Sequence, residues 1–384
     1  FDWLLMENNG KLHFIDYFTH LSYVADPKLL YPRATSTGGC FPAFSYMMYY
    51  FLYNLTDKTG VFHSNYFIFR SAEHVMLVFV YYTISVLFFL YIVIFNTLKR
   101  NQTLSICVFL SLIFSAVFLG GGVERGNSAI LVLTLMLLGL NFKQSKNKVL
   151  NEAALIIFAI CTGFKIYPAI ISLLYLREKR FREFIRFFIY TCILFFVPFA
   201  FFGGMAGFKI WVNNVLNFMN MNSLYRYQYV KGFLYNVLYH FIPEYAKIFS
   251  AIGNFIFLFV MIILAMATKN KYSRLFFLCS IMTFFPVNAY RYTLCYLSIP
   301  LIFYIKDYNN SINTFFDYIL MSLYGCLFSI PVFWGIVTSF KLNFGSNATT
   351  SVEVWLYFIA YLMLILVSFK EIFEIVKYKV QKKS

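Results

Sequence analysis

Charge is what this sequence lacks most. Asp, Glu, Lys and Arg make up 12% of its residues, about half the usual share for a soluble chain. With 61% hydrophobic residues, it has too little polar surface to cover a fold standing in water. No Walker motif, GxSxG, HExxH or dinucleotide glycine pattern lies on a suitable element, which removes the familiar nucleotide, serine-hydrolase and zinc-protease chemistries. Cysteine is sparse and unpaired in pattern. Six of the seven, Cys107, Cys161, Cys192, Cys279, Cys295 and Cys326, sit in apolar runs, and Cys40 alone lies in a polar connector. Without CxxC or Cys/His spacing they read as small core residues, not as a disulfide framework or a metal site. No internal repeat, low-complexity linker or cleavable signal sequence is visible.

What is present is a series of long apolar runs. Val75–Phe95, Thr103–Val123, Phe187–Ala206, Ile248–Ala267 and Tyr318–Phe340 are long enough to span a bilayer. Shorter runs lie at Ser128–Phe142, Leu275–Tyr290, Tyr292–Ile305 and Val354–Phe369. They do not alternate apolar and polar residues, so a β-barrel is excluded. The fold class predicted is all-α, a polytopic helical membrane protein.

The net charge of +16 could suggest a polyanionic partner, but its distribution argues otherwise. The connectors Asn96–Gln102, Lys143–Val149, Arg177–Arg186, Thr268–Arg274, Lys306–Asp317 and Lys370–Ser384 hold 19 of the 32 Lys and Arg in 58 residues. That asymmetry marks these connectors as cytoplasmic, and it accounts for the charge without nucleic acid. Phe1–His74 and Gly203–Lys247 then become large outer loops, the first carrying an interfacial aromatic helix at Phe41–Leu55. Counting two half-helices around Lys165, the chain makes about 11 traverses. Their parity predicts a further helix before Phe1.

The segment Asn151–Leu176 has the most unusual pattern. Two apolar halves meet at Lys165, Tyr167 and Pro168, with basic clusters on both flanks. The flanks predict a re-entrant turn whose lysine faces a polar cavity or an anion, since a lysine in lipid is costly. Three other polar clusters fall on the same predicted outer side. HFIDYFTHLSYVADP sets Asp16 and His20 at helical i, i+4 spacing; GGGVERGNSA holds Glu124, Arg125 and Asn127; FFPVNAYRYT holds Asn288, Tyr290 and Arg291. Blander readings stand beside these: Asp16 as a solvated acid or helix cap, His20 as a structural histidine, Glu124 and Arg125 as partners of other loop charges, Lys165 snorkelling to the interface.

The run DYFTHLSYVADP, then CFPAFSYMMYYFLY, VERGN and TGFKIYPAIISLLYLREKRFREFIRFF, resembles bacterial GT-C membrane glycosyltransferases. The similarity is greatest to the family of polyprenyl-phosphate-mannose-dependent α-mannosyltransferases, and it is collinear over about Asp2–Gly204. One departure is Phe41-Pro42-Ala43, where the family usually has two prolines after the phenylalanine. The resemblance implies a single GT-C membrane domain over 1–384 with short broken helices and a polyprenyl-phosphate sugar donor. It implies a glycolipid or cell-envelope glycan acceptor on the extracytoplasmic side of the cell membrane, and an acidic base that maps to Asp16.

A carboxylate within reach of a sugar hydroxyl can take its proton as the new bond forms. The departing phosphate needs fixed cations and donors. Arg125, Lys165 and Arg291 are the candidates for its charge, with His20, Glu124, Asn127, Tyr167 and Asn288 as further substrate-binding residues. No cofactor is expected. A lipid-linked glycan transporter or flippase, or an O-antigen-type polymerase or ligase, remains the alternative.

Overall fold

The computed structural model describes residues 14–33, 39–56, 73–222, 227–286, 291–307, 315–329 and 351–381. Among them every regular element is a helix, as expected where lipid offers the backbone no hydrogen bonds and each segment must satisfy its own. Among the described residues four helices are long and apolar enough to cross a membrane: Val75–Thr97, Phe181–Ala200, Ala246–Ala267 and Val354–Tyr378. Their exposed residues include Leu77, Tyr81, Phe88, Phe259 and Ile263, side chains that only a lipid environment accommodates at that density. A fifth candidate is bent, with helices Gln102–Ile113 and Val117–Val123 meeting at 63°. The chain is a multi-pass membrane protein.

The expected eleven traverses are not supported among the described residues. Ser128–Phe142 becomes the 15-residue helix Ala129–Lys143, about 23 Å long at about 1.5 Å per residue and short of a bilayer core of about 30 Å. Leu275–Tyr290 yields the helix Lys271–Phe284, most of it buried within the protein. Tyr292–Ile305 divides into a 3-10 helix, Arg291–Leu297, and the ten-residue helix Ser298–Asp307. Exclusion from water marked these runs correctly, but a run buried among other helices need not be long enough to cross. Val354–Phe369 errs the other way, since it lies inside the 31-residue helix Ser351–Gln381. The run Tyr318–Phe340 lies partly outside the described residues.

Helix starts are set by asparagine. Asn101, Asn147 and Asn270 accept the backbone N–H of Leu104, Val149 and Tyr272, at 3.0, 2.8 and 2.9 Å. Each satisfies a donor that lacks an intrahelical partner, and each stands in one of the basic connectors.

The chain divides into two compact units built from interleaved segments. One comprises Phe1–Lys11, Ile94–Gly122 and Ser223–Ser384. Within it Glu371 is buried on the carboxy-terminal helix and accepts the hydroxyls of Thr268 and Ser273, the latter at 2.6 Å. This clamps the start of helix Lys271–Phe284. Glu371→Ala leaves both hydroxyls without their acceptor and should cost about 1–3 kcal/mol, read as a lower melting temperature in detergent. Glu371→Gln, which keeps one acceptor oxygen, should lose less.

The π-helix Val117–Val123, with glycine at 120, 121 and 122, belongs to this unit up to Gly122. Arg291 is fully buried there and donates from Nη2 to the Gly120 carbonyl at 3.0 Å. A Cβ at Gly121 would stand 2.8 Å from the Tyr292 backbone nitrogen, an atom that cannot swing aside. Gly121→Ala should therefore destabilise by about 1–3 kcal/mol through overpacking. An unchanged melting temperature would show that the two segments can separate freely.

The second unit comprises Leu12–Val93 and Val123–Asn222. Its helix Lys148–Phe164 packs against Ala129–Lys143 and Phe181–Phe196. At one end, Glu152 takes Arg186 and the Tyr190 hydroxyl, while Glu178 takes Lys143. A hydrophobic core of this unit is largely aromatic, including Tyr17, Phe18, Tyr31, Tyr46, Tyr49, Phe79 and Trp211.

Candidate functional site

The site begins with a turn docked on a helix start. Helix Ile15–Tyr23 opens after Phe14, which is left-handed at φ 60°. The first N–H groups of a helix have no partner within it. Here the amides of Phe14 and Asp16 donate to the carbonyls of Glu124 and Arg125, the second at 3.0 Å. The ERGN sequence supplies each part of that turn. Gly126 has φ +62°, and a Cβ on it would come within 2.7 Å of the Tyr17 Cβ, so only glycine lets the two segments meet. Asn127 accepts the Ala129 N–H at 3.0 Å, at the start of the next helix.

This docking carries Arg125 and Asn127 to Asp16 across more than a hundred residues of sequence. Arg125 donates to both carboxylate oxygens, Nη2 to Oδ1 at 2.7 Å and Nε to Oδ2 at 3.2 Å. Asn127 Nδ2 donates to Oδ2 at 2.7 Å. Burial by itself would raise the Asp16 pKa. The Arg125 charge and the hydrogen bonds from Arg125 and Asn127 outweigh it and hold the carboxyl below its ordinary value. The pair is not sealed, since the Asp16 and Arg125 side chains remain 14% and 19% exposed. Asp16 is thus an ionised, oriented carboxylate with access, the state a proton acceptor requires.

One turn along the helix, His20 is 7% exposed and stacks on Phe41, with ring centroids 4.1 Å apart. Burial lowers its pKa to about 3, aided by Lys165 and Arg125 and opposed by Asp16. It is neutral at physiological pH. Lys165 caps the end of helix Lys148–Phe164 in an extended conformation. The 3-10 helix Tyr167–Ser172 follows, with Pro168 in its first turn. Lys165 is 4% exposed, and its Nζ lies 3.4 Å from the centroid of the Phe41 ring. Cys40 is a free thiol in the same neighbourhood; burial pushes its pKa up to about 11, against the pull of Lys165.

Among the predicted residues, the structure therefore brings Asp16, His20, Arg125, Asn127 and Lys165 into one neighbourhood. Glu124 is buried beside it and contributes its carbonyl to the Phe14 amide. Tyr167 is half-buried two residues beyond Lys165. Arg291 belongs to the other unit, held by the Gly120 carbonyl as described. Asn288 lies outside the described residues. Among the described residues no group of three or more His, Cys, Asp or Glu is placed to hold a metal ion.

Several contributors carry no signal of their own in the sequence. Phe41 touches both His20 and Lys165. Trp211 Nε1 donates to the Cys40 carbonyl at 3.1 Å, and Asn214 to the Tyr31 carbonyl at 3.2 Å. Tyr46, Tyr49 and Tyr53 do carry a signal, since their i, i+3, i+7 spacing marks one buried face of helix Ala43–Asn54, but the reading of this segment as an interfacial helix did not single them out. Asp26, the other carboxylate of this stretch, accepts the Lys28 amide at 3.2 Å and starts a short 3-10 turn.

The histidine gives a pH dependence of stability. An unfolded histidine takes up its proton below about pH 6.5, whereas His20 in the fold does so only near 3. Between those values the unfolded state binds more protons, so stability falls as pH falls, by about 1.4 kcal/mol per unit. Asp16, with a depressed pKa, adds a loss in the same direction but only below about pH 4. The melting temperature should drop on acidification from about pH 7 to about pH 5, and His20→Gln should flatten that slope. An equal slope in the variant would show that His20 is not the buried neutral group.

The comparisons with known proteins bear on this same stretch of chain. The family described as Glycosyltransferase family 87 matches residues 67–288, more than half of the sequence. The match includes the ERGN turn and the Lys165 break, while Asp16, His20 and Arg291 lie beyond its ends. No curated protein and no solved structure matches the chain. A multi-pass helical protein with an accessible, cation-held carboxylate, matched over that length, belongs to glycosyltransferase family 87.

Proposed function

We propose that the enzyme moves a hexose, mannose-like, from a polyprenyl-phosphate sugar to a lipid-linked or cell-envelope glycan acceptor on the extracytoplasmic side. The observation that carries this reading is the Asp16 carboxylate, ionised and partly accessible between Arg125 and Asn127, with the buried Lys165 amine nearby, its pKa pushed down by burial to about 7. Asp16 accepts the proton of the attacking hydroxyl as the oxygen bonds to the anomeric carbon. A carboxylate held below its usual pKa is a weak base. Transfer to it is therefore late, when the attacking oxygen has become acidic through bond formation. The electron pair of the broken bond leaves with the polyprenyl phosphate, whose charge Arg125 and Lys165 stabilise.

His20, Glu124, Asn127, Tyr167 and Asn288 contact substrate. The apolar helices give the polyprenyl tail a place to lie, and the basic connectors support the assignment of sides. Family membership favours transfer over the transporter alternative. The test incubates purified enzyme in detergent with short-chain polyprenyl-phosphate hexoses and, separately, nucleotide hexoses. Product is expected from the first set only. Transfer from nucleotide sugars alone would overturn the donor assignment.

A further inference from the structure

The geometry points to Phe41 as a positioning residue: its ring holds the Lys165 ammonium at the place where the donor's phosphate binds. This rests on the reading of Lys165 given above. The Lys165 Nζ is 3.4 Å from the ring centroid, a distance reached only over the face. The His20 ring is stacked at 4.1 Å with an interplanar angle of 29°. Both cannot occupy one face at those distances, so Phe41 stands between them, with histidine on one side and ammonium on the other.

The ring itself is fixed by groups distant in sequence. The Cys40 carbonyl accepts Trp211 Nε1 at 3.1 Å, and the Phe41 carbonyl accepts the Tyr31 hydroxyl at 3.2 Å. The Ser45 hydroxyl donates to the Phe164 carbonyl at 2.6 Å, tying the start of helix Ala43–Asn54 to the residue before Lys165. The chemistry suits an anion site. Burial pushes the Lys165 pKa down to about 7 against the pull of Asp16, so a contact that favours the charged form matters here. An aromatic face attracts the cation through its quadrupole and carries no net charge. His20 on the opposite face is neutral, so it adds no second charge beside the ring.

The experiment measures binding of farnesyl phosphate, and of uncharged farnesol, to the purified full chain by calorimetry in detergent. Phe41→Leu should weaken farnesyl phosphate binding about tenfold and leave farnesol unchanged, whereas Phe41→Tyr should retain both. Lys165→Met should also weaken the phosphate, and adding Phe41→Leu to it should cost nothing further. Pentafluorophenylalanine at position 41 keeps the shape and reverses the quadrupole, so it should reproduce the loss even if Phe41→Leu does not fold. Wild-type affinity with the fluorinated ring, or a full additional loss in the Lys165→Met background, would overturn the role of Phe41 alone. Wild-type affinity in Lys165→Met itself would instead overturn the phosphate assignment on which it rests.

Discussion

Asp16→Asn should lower turnover by about 10²–10⁴-fold, because the amide keeps the size of the side chain but cannot accept the proton. The substitution also removes the charge that faces Arg125, so some stability goes with it. Asp16 is far from a solvated loop acid: both of its oxygens are engaged and it sits against the ERGN turn. Melting temperature must therefore be measured alongside initial rates with a short-chain donor. A chemical role requires that the folded variant still bind donor while failing to turn it over. Asp26→Asn is the control, since Asp26 starts a local turn and accepts the Lys28 amide. An active Asp16→Asn enzyme beside an inactive Asp26→Asn one would transfer the role of base to Asp26.

Arg125→Ala should have the second-largest effect, and on two properties at once. Removing the guanidinium leaves the Asp16 carboxylate half-enclosed without its bidentate partner. For a fully buried pair that costs about 3–5 kcal/mol, and the residual exposure here sets this as an upper bound. Arg125→Lys restores a charge but not the planar fork that meets both oxygens. It should recover stability better than activity, with turnover still down by about 10²-fold. A further signature separates the two roles. Because Arg125 holds the Asp16 pKa down, weakening it raises that pKa. The acid limb of the pH–rate profile, where the base becomes protonated, should then move to higher pH. An acid limb that stays in place in Arg125→Lys would mean that Asp16 is not the titrating base.

Parts of this site could be read from local pattern. The spacing of Asp16 and His20 announced a helix, and both stand on Ile15–Tyr23. Pro168, three residues after Lys165, announced a break, because proline cannot donate the hydrogen bond that would continue a helix, and helix Lys148–Phe164 ends there. Gly126 of ERGN is left-handed, but one glycine between two apolar runs does not by itself specify such a turn. The traverse count failed for a reason equally physical. Hydropathy reports exclusion from water, and Lys271–Phe284 is excluded by its protein neighbours rather than by lipid. The blander reading of Arg125 as a partner of another loop charge was half right: it pairs with a charge, and that charge is the proposed base.

The sequence by itself determined the solvent and the secondary structure. Sparse charge and long apolar runs require a membrane, and a membrane requires backbones that satisfy themselves, hence helices. Those are consequences of composition and short-range order. Which carboxylate meets which cation was decided only by the tertiary structure. Asp16 reaches Arg125 because two backbone amides at a helix start find carbonyls on a distant turn whose glycine permits the approach. Phe41 stands between His20 and Lys165 because Trp211, Tyr31 and Phe164 hold its segment from three other places in the chain. Contacts of that range leave no periodicity in the sequence, since each depends on the packing of helices whose faces are almost uniformly apolar.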